Sequence, residues 1–226
     1  MKENYRYERK FVITQFTREE IENMVKLHPA IFSEVYAPRF VNNIYFDSFN
    51  LENYFDNVDG ASDRRKVRIR WYGDLFGIIE KPVLEFKIKR GLLGDKRLFD
   101  LNRLLMDENV RTDTLYALIN RSNLPPIIKM EMIAIEPKLL NRYKRKYYQS
   151  SDMNYRITID SEMDFYRINQ HNNTFLNRFR NDSQIVLELK YDRDKDNSAE
   201  SISNYFPFRT TKNSKYVNGI DWMYDE

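Results

Sequence analysis

Val67-Arg68-Ile69-Arg70-Trp71 alternates apolar and cationic side chains, and three further stretches repeat the pattern: Arg6-Tyr7-Glu8-Arg9-Lys10, Leu84-Glu85-Phe86-Lys87-Ile88-Lys89 and Leu187-Glu188-Leu189-Lys190. Successive strand residues point to opposite faces. Arg68 and Arg70 therefore share one face, while Val67, Ile69 and Trp71 share the other. Glu85, Lys87 and Lys89 likewise oppose Leu84, Phe86 and Ile88. A sheet of such strands needs helices over its apolar face and leaves its charged face wet. Curled into a barrel, that face becomes a basic lumen.

Working outward, the opening strand runs from about Tyr5 to Thr14, with Tyr5, Tyr7, Phe11 and Ile13 on one side and Arg6, Glu8 and Lys10 on the other. Thr17 followed by Glu20 reads as a capping box, starting a helix whose apolar stripe is Ile21, Met24, Val25 and Leu27. A strand around Val41 to Ser48 precedes a short helical segment at Leu51 to Phe55, closed by Asp59-Gly60. Strands near Lys66 to Tyr72 and Val83 to Arg90 are linked by a turn containing Gly73 and Gly77. From about Leu101 to Asn120 the pattern is helical, with a break near Asn109. Pro125-Pro126 ends it, and Pro137 marks the next boundary.

Strands return at roughly Leu139 to Tyr148, Tyr155 to Asp160, Met163 to Ile168, Phe175 to Phe179 and Ile185 to Tyr191. The tail from Ser198 should hold a helix and a short terminal segment carrying Ser214-Lys215-Tyr216. About eight strands with helices between them, and no repeat or linker, predict one α+β domain over residues 1–226. Eight strands is also the number at which a barrel encloses a small lumen.

Composition narrows the chemistry. The 226 residues carry 37 Lys plus Arg against 34 Asp plus Glu, so any strong positive field must come from arrangement. There is no Cys, which excludes disulfides and thiolate metal sites. His28 and His171 are isolated, read as surface residues, and cannot make a His-based zinc site. No apolar run approaches the roughly 20 residues needed to cross a bilayer, and the N-terminus lacks a signal-peptide core. A cytoplasmic enzyme or binding domain is expected, with membrane attachment only through a protein partner.

The recurring cation rows favour a polyanion over a merely solvated face. The planar guanidinium fork suits phosphate oxygens, and like charges facing one another imply an anionic guest. Glu8, Glu85 and Glu188 sit among these cations. Each is either an ion-pair partner or a ligand for Mg2+ or Mn2+, hard ions held through a few carboxylates, phosphate oxygens and water. With only six Gly, the chain has no phosphate-binding loop, kinase Gly-rich loop or dinucleotide fingerprint. Phosphate must be held by side chains. Nucleic acid is disfavoured as a partner, since it calls for a basic outer face.

Tyr7-Glu8-Arg9-Lys10-Phe11, Tyr45-Phe46-Asp47-Ser48, Arg68-Ile69-Arg70, Glu85-Phe86-Lys87, Tyr143-Lys144-Arg145, Arg156-Ile157-Thr158-Ile159-Asp160, Leu187-Glu188-Leu189-Lys190 and Ser214-Lys215-Tyr216 occur in an order that resembles the VTC (vacuolar transporter chaperone) domain. This is the polyphosphate polymerase branch of the CYTH-like triphosphate tunnel metalloenzymes, and the similarity spans about residue 5 to 219. The resemblance implies an α+β fold, an eight-stranded antiparallel β-barrel tunnel with flanking helices. It implies transfer of the γ-phosphate of ATP to inorganic polyphosphate or pyrophosphate with Mn2+ or Mg2+. By position, the catalytic cations would be Lys10, Arg68, Arg70, Lys87, Arg145, Arg156 and Lys215, and the metal ligand Glu188. Glu8, Glu85, Lys89, Lys96 and Lys190 would contact substrate, Lys96 being the weaker match.

There are departures from the family pattern. The related hydrolase branch begins Glu-x-Glu-x-Lys, whereas Arg6 stands here in place of the first Glu, which tilts against a two-metal hydrolase. Lys89 occupies a position where eukaryotic polymerases tend to have His. The phosphate-sensing SPX domain and transmembrane helices of the eukaryotic assembly are missing, as in a stand-alone microbial version. Two rivals keep the same cations: a triphosphatase, in which water attacks, and a non-catalytic polyphosphate or nucleotide binder.

Overall fold

All four alternating stretches form strands. They lie in β1 (Arg6–Ile13), β3 (Asp63–Tyr72), β5 (Val83–Arg90) and β11 (Ile185–Asp192). The structure, a computed structural model, describes residues 6–90, 93–169, 173, 175 and 178–224. Tyr5 and His171 lie outside these residues. Between the four strands come α1 (Arg18–Lys26), β2 (Ser33–Asp47), α2 (Glu52–Asp59), β4 (Gly77–Ile79), β6 (Leu93–Asp100) and β7 (Leu104–Met106). Then follow α3 (Thr112–Arg121), α4 (Pro126–Ile133), β8 (Glu136–Gln149), β9 (Tyr155–Arg167) and β10 (Arg178–Asn181), with α5 (Asp196–Asn204) and α6 (Lys215–Tyr224) after β11.

The expected α+β class, with a large antiparallel sheet and flanking helices, is what the chain forms. Eight strands follow the order β1-β11-β9-β8-β2-β3-β5-β6, with β10 pairing β9 off this path and β4-β7 making a separate two-stranded sheet. The path has two ends, β1 and β6; no ladder joins them among the described residues. Antiparallel register sets Arg68 opposite both Tyr45 and Glu85, and Glu188 opposite both Lys10 and Thr158. The alternation holds as read: Val67, Ile69 and Leu187 are fully buried.

The chain divides into two compact units. The first comprises Met1–Phe40, Tyr143–Met163 and Asn181–Asn213. Its core joins Phe11, Leu187, Leu189 and Ile157 of the sheet to Ile21 and Val25 of α1 and Ala199 of α5. The predicted capping box is present, with the Thr17 N–H donating to Glu20 Oε2 at 2.7 Å and the Glu20 N–H to the Thr17 hydroxyl at 3.3 Å. Leu27 departs from the expected stripe. It is the C-cap of α1 and is 78% exposed, because the helix has ended before it can turn inward.

His28 is not a surface residue. It is buried against the rings of Phe32, Tyr205 and Phe206. Its Nδ1 accepts from the Ala30 N–H at 3.0 Å and its Nε2 lies 3.1 Å from the Ile202 carbonyl. A carbonyl only accepts, so Nε2 carries the proton and the ring is neutral.

The second unit comprises Val41–Arg142, Asp164–Arg180 and Ser214–Glu226. Its core packs Ile69, Trp71, Leu84 and Phe86 of the sheet with Leu115 and Leu118 of α3 and Met132 of α4. Helix α6, where only a short terminal segment was expected, lies close over the sheet. A Cβ on Gly219 would stand 2.4 Å from Leu139 Cδ2 and 2.7 Å from Phe165 Cδ1.

Other boundaries shift for local reasons. The helix expected over Leu101 to Asn120 begins only at Thr112. Before it, Leu104 and Met106 are fully buried while Leu105 is 58% exposed, a period of two that makes β7. Pro126 starts α4 rather than ending a helix, since a first-turn proline loses no hydrogen bond. Two expected strands are the single strand β9, which bends at Glu162, a residue with φ of 52°. Edge strand β6 had no counterpart in the sequence reading, because Gly94-Asp95-Lys96-Arg97 lacks an apolar row.

Candidate functional site

In the first unit the charged face is organised around Glu188, whose side chain is 6% exposed. Lys190 Nζ lies 2.7 Å and Arg145 Nη2 3.4 Å from its Oε2, and Lys10 Nζ 3.5 Å from its Oε1. The Thr158 hydroxyl lies 3.4 Å from Oε2. These contacts follow from register, because residues opposite one another in adjacent strands share a face. Lys10 Nζ also lies 2.9 Å from Glu8 Oε1 and donates to the Asn213 carbonyl at 3.1 Å. Burial alone would lower the Lys10 pKa, but Glu188 and Glu8 outweigh it and raise it, so the ammonium stays charged.

Arg145 rises from β8 and forks onto Asp160, with Nε 2.5 Å from Oδ1 and Nη2 2.6 Å from Oδ2. Arg156 is exposed, its Nε donating to Gln149 Oε1 at 2.9 Å.

In the second unit Glu85 plays the corresponding part. Arg68 Nη2 lies 2.6 Å from its Oε2, with Arg70 Nη1 at 2.9 Å and Lys96 Nζ at 3.0 Å from its Oε1. Burial would raise the Glu85 pKa, but Arg68 and Lys96 outweigh it and hold the carboxyl below its ordinary value. Arg68 Nη1 donates to the Tyr45 hydroxyl at 3.0 Å, and Arg70 Nε to Asn43 Oδ1 at 3.2 Å. Asn43 is fixed in turn by donating to Asn141 Oδ1 at 2.8 Å. The lysines continue the row: Lys66 pairs in register with Lys87, and Lys87 with Lys96. Lys87 is exposed and Lys89, opposite Arg64, is half-buried.

Lys215 opens α6, where the helix's positive end adds to its own charge. Ser214 positions that helix start. Its hydroxyl accepts from the Val217 N–H at 3.3 Å and from Lys66 Nζ at 2.7 Å. Tyr216, the next residue, donates to Asp47 and stacks on Tyr45 at 5.1 Å. Asp47 also accepts from the N–H groups of Asn53 and Tyr54 at 2.9 Å, holding the first turn of α2. Burial, then the adjacent Asp47, pushes the Tyr216 phenol far up, so it remains a donor.

The contacts to Glu188 gather Lys10, Arg145 and Lys190, and those to Glu85 gather Arg68, Arg70 and Lys96; the expected residues divide between the two units. Lys10, Glu8, Arg145, Arg156, Glu188 and Lys190 fall in the first unit; Arg68, Arg70, Glu85, Lys87, Lys89, Lys96 and Lys215 fall in the second. Sequence reasoning gave no role to Asp160, Thr158, Asn43, Tyr45, Asp47 or Lys66. Lys66 was within reach, since it continues the even-numbered row of Arg68 and Arg70. One expectation changes. The cations do not stand against one another unrelieved, because Glu85 and Glu188 already serve them as counter-ions.

Among the described residues, no group of three or more His, Asp or Glu could hold a metal by itself. The residues fit a substrate-completed site instead. Mg2+ commonly takes one or two carboxylates, the rest being phosphate oxygens and water. Glu188 and Glu8 both reach Lys10 Nζ, so two hard anionic donors already converge on one cation.

A family model for the VTC domain matches residues 5–224. The chain belongs to the VTC domain family. Solved structures share the fold of this VTC domain. A protein of Vibrio parahaemolyticus described as a candidate adenylate cyclase has a TM-score of 0.52 at 10% identity, covering 94% of this chain and 96% of that one. A candidate adenylyl cyclase from Hippeastrum, described as having a dominant triphosphatase activity, has a TM-score of 0.53 at 13% identity, covering 97% of each chain. A protein of Pyrococcus horikoshii OT3 has a TM-score of 0.50 at 14% identity, covering 94% of this chain and 96% of that one. No curated protein matches the sequence.

Proposed function

We propose that this VTC domain is an ATP-dependent polyphosphate polymerase, moving the γ-phosphate of ATP onto inorganic polyphosphate or pyrophosphate. The observation that carries this reading is the way Arg68, Arg70 and Lys96 converge on Glu85, and Lys10, Arg145 and Lys190 on Glu188. Each carboxylate holds its cations in place before substrate arrives. Phosphate oxygens then take over the cations, and the fixed positive charge stabilises the charge that spreads over the transferred group. A bound Mn2+ or Mg2+, held by Glu188 with Glu8, would neutralise part of that charge. The attacking group is itself an ionised phosphate, so no protein nucleophile or strong general base is needed.

The second reading is a triphosphatase with water as acceptor. It is favoured by the triphosphatase activity described for the Hippeastrum protein of the same fold. Arg6 in place of the first Glu of the hydrolase pattern argues against it. A non-catalytic binder would not need Glu188, which is present here. ATP as substrate suits a cytoplasmic setting; no helix among the described residues is long and apolar enough to cross a membrane.

The deciding experiment incubates pure protein with ATP and Mn2+ and resolves products by gel and phosphorus NMR. A ladder of polyphosphate supports the polymerase. ADP with orthophosphate alone transfers the assignment to the triphosphatase.

A further inference from the structure

An aromatic group in the first unit is not used by phosphate binding. Tyr36 and Arg39 of β2 meet Tyr147 of β8. The two phenol rings lie 5.6 Å apart at 89°. The Arg39 guanidinium is 5.6 Å from the Tyr36 ring centre and 4.8 Å from that of Tyr147, and its Nε donates to the Tyr147 hydroxyl at 3.2 Å. Tyr36 is 60% exposed, and Arg39 is exposed with it. Burial therefore does not explain why a large ring is held here.

Phenol rings and guanidinium planes are the surfaces on which nucleobases stack. The position suits that use. Tyr147 is two residues beyond Arg145, so the two share a face of β8 and stand roughly 7 Å apart along the strand. Gln149, the next residue on that face, holds Arg156. A base resting on the tyrosines would direct its ribose and phosphates toward Arg145, whose guanidinium belongs to the Glu188 cluster.

We propose that Tyr36, Arg39 and Tyr147 form a stacking platform for the base of the nucleoside triphosphate. The proposal rests on the phosphate-binding reading of this face. It adds the element that distinguishes a nucleotide from an inorganic triphosphate. Stacking tolerates any base, so selectivity among bases should be modest and favour the larger purines.

Calorimetric titration of the full chain with ATP and, separately, tripolyphosphate tests it, each with Mg2+. Tyr36→Ala should weaken ATP about tenfold, the loss of one base–aromatic contact, while tripolyphosphate affinity stays within about twofold. Tyr36→Phe should keep the ATP affinity, and Tyr147→Ala should behave as Tyr36→Ala. Unchanged ATP affinity in both alanine variants overturns the platform and leaves the phosphate reading standing. Equal loss of both ligands also overturns it, because the tyrosines would then support the fold rather than the base. Failure of the unsubstituted chain to bind either ligand defeats the phosphate reading, and the platform with it.

Discussion

Arg145 grips Asp160 through two nitrogens, and Asp160 is fully shielded from solvent. Burial would lower the Arg145 pKa, but Asp160, Tyr143 and Glu188 more than reverse it, so the guanidinium stays charged. Arg145 therefore presents to a phosphate only the part of its charge that Asp160 does not use. Asp160→Ala removes the partner that takes two of the buried guanidinium's nitrogens and leaves Arg145 only its longer contact to Glu188. That should cost about 3–5 kcal/mol, read from urea unfolding. A cost below about 0.5 kcal/mol would mean that water already solvates Arg145.

Arg68→Ala and Arg70→Ala should each lower kcat/KM about ten- to a hundredfold, by losing a charge-assisted phosphate contact worth roughly 1.5–3 kcal/mol. Stability without ligand should change little, because Glu85 keeps Lys96 and the remaining arginine. Ile69→Ala, fully buried on the opposite face, should do the reverse and cost about 2–5 kcal/mol of stability. Fully active arginine variants with collapsed stability would make these side chains structural.

His28 makes stability depend on pH. Burial lowers its pKa from the ordinary value, against the weaker effect of the Ile202 carbonyl. With the folded pKa depressed, the unfolded chain binds the proton more readily. The neutral ring's contribution is complete above about pH 6.5 and declines as pH falls through that value toward the folded pKa. Protonating Nδ1 also removes the acceptor for the Ala30 N–H. Urea midpoints at pH 7.5 and 5.5 should fall more for the unsubstituted chain than for His28→Gln. An identical drop in both would assign the dependence elsewhere.

Gly219→Ala should destabilise the chain by about 1–3 kcal/mol through overpacking, because its Cβ would meet Leu139 and Phe165. Since Lys215 opens the same helix, tripolyphosphate affinity should fall as well. A thermal melt and a titration on this one variant check both. An unchanged melting temperature would mean that Leu139 swings aside.

Strand faces were legible because they depend only on alternation: Arg68 against Ile69, and Glu188 against Leu187, are decided by side-chain direction within one strand. Which cation meets which carboxylate was not, since Arg145, Lys10 and Glu188 come together only through register across several ladders. Asp47 and Tyr216 stood in the motifs that resembled the family, yet their bond spans a sequence separation that no local pattern encodes. His28 was misjudged for the same reason, its aromatic surroundings being supplied by distant residues. β7 and β6 were missed because three residues of alternation, or a polar edge strand, carry too little periodic signal.

Linear phosphate is the ligand proposed for these cations. Titrating tripolyphosphate into the chain with Mn2+ at low salt, alongside Glu188→Gln, tests this most directly. The expected result is saturable binding that weakens with salt, raises the melting temperature, and loses its Mn2+ dependence in Glu188→Gln. No heat and no thermal shift at millimolar tripolyphosphate would contradict it.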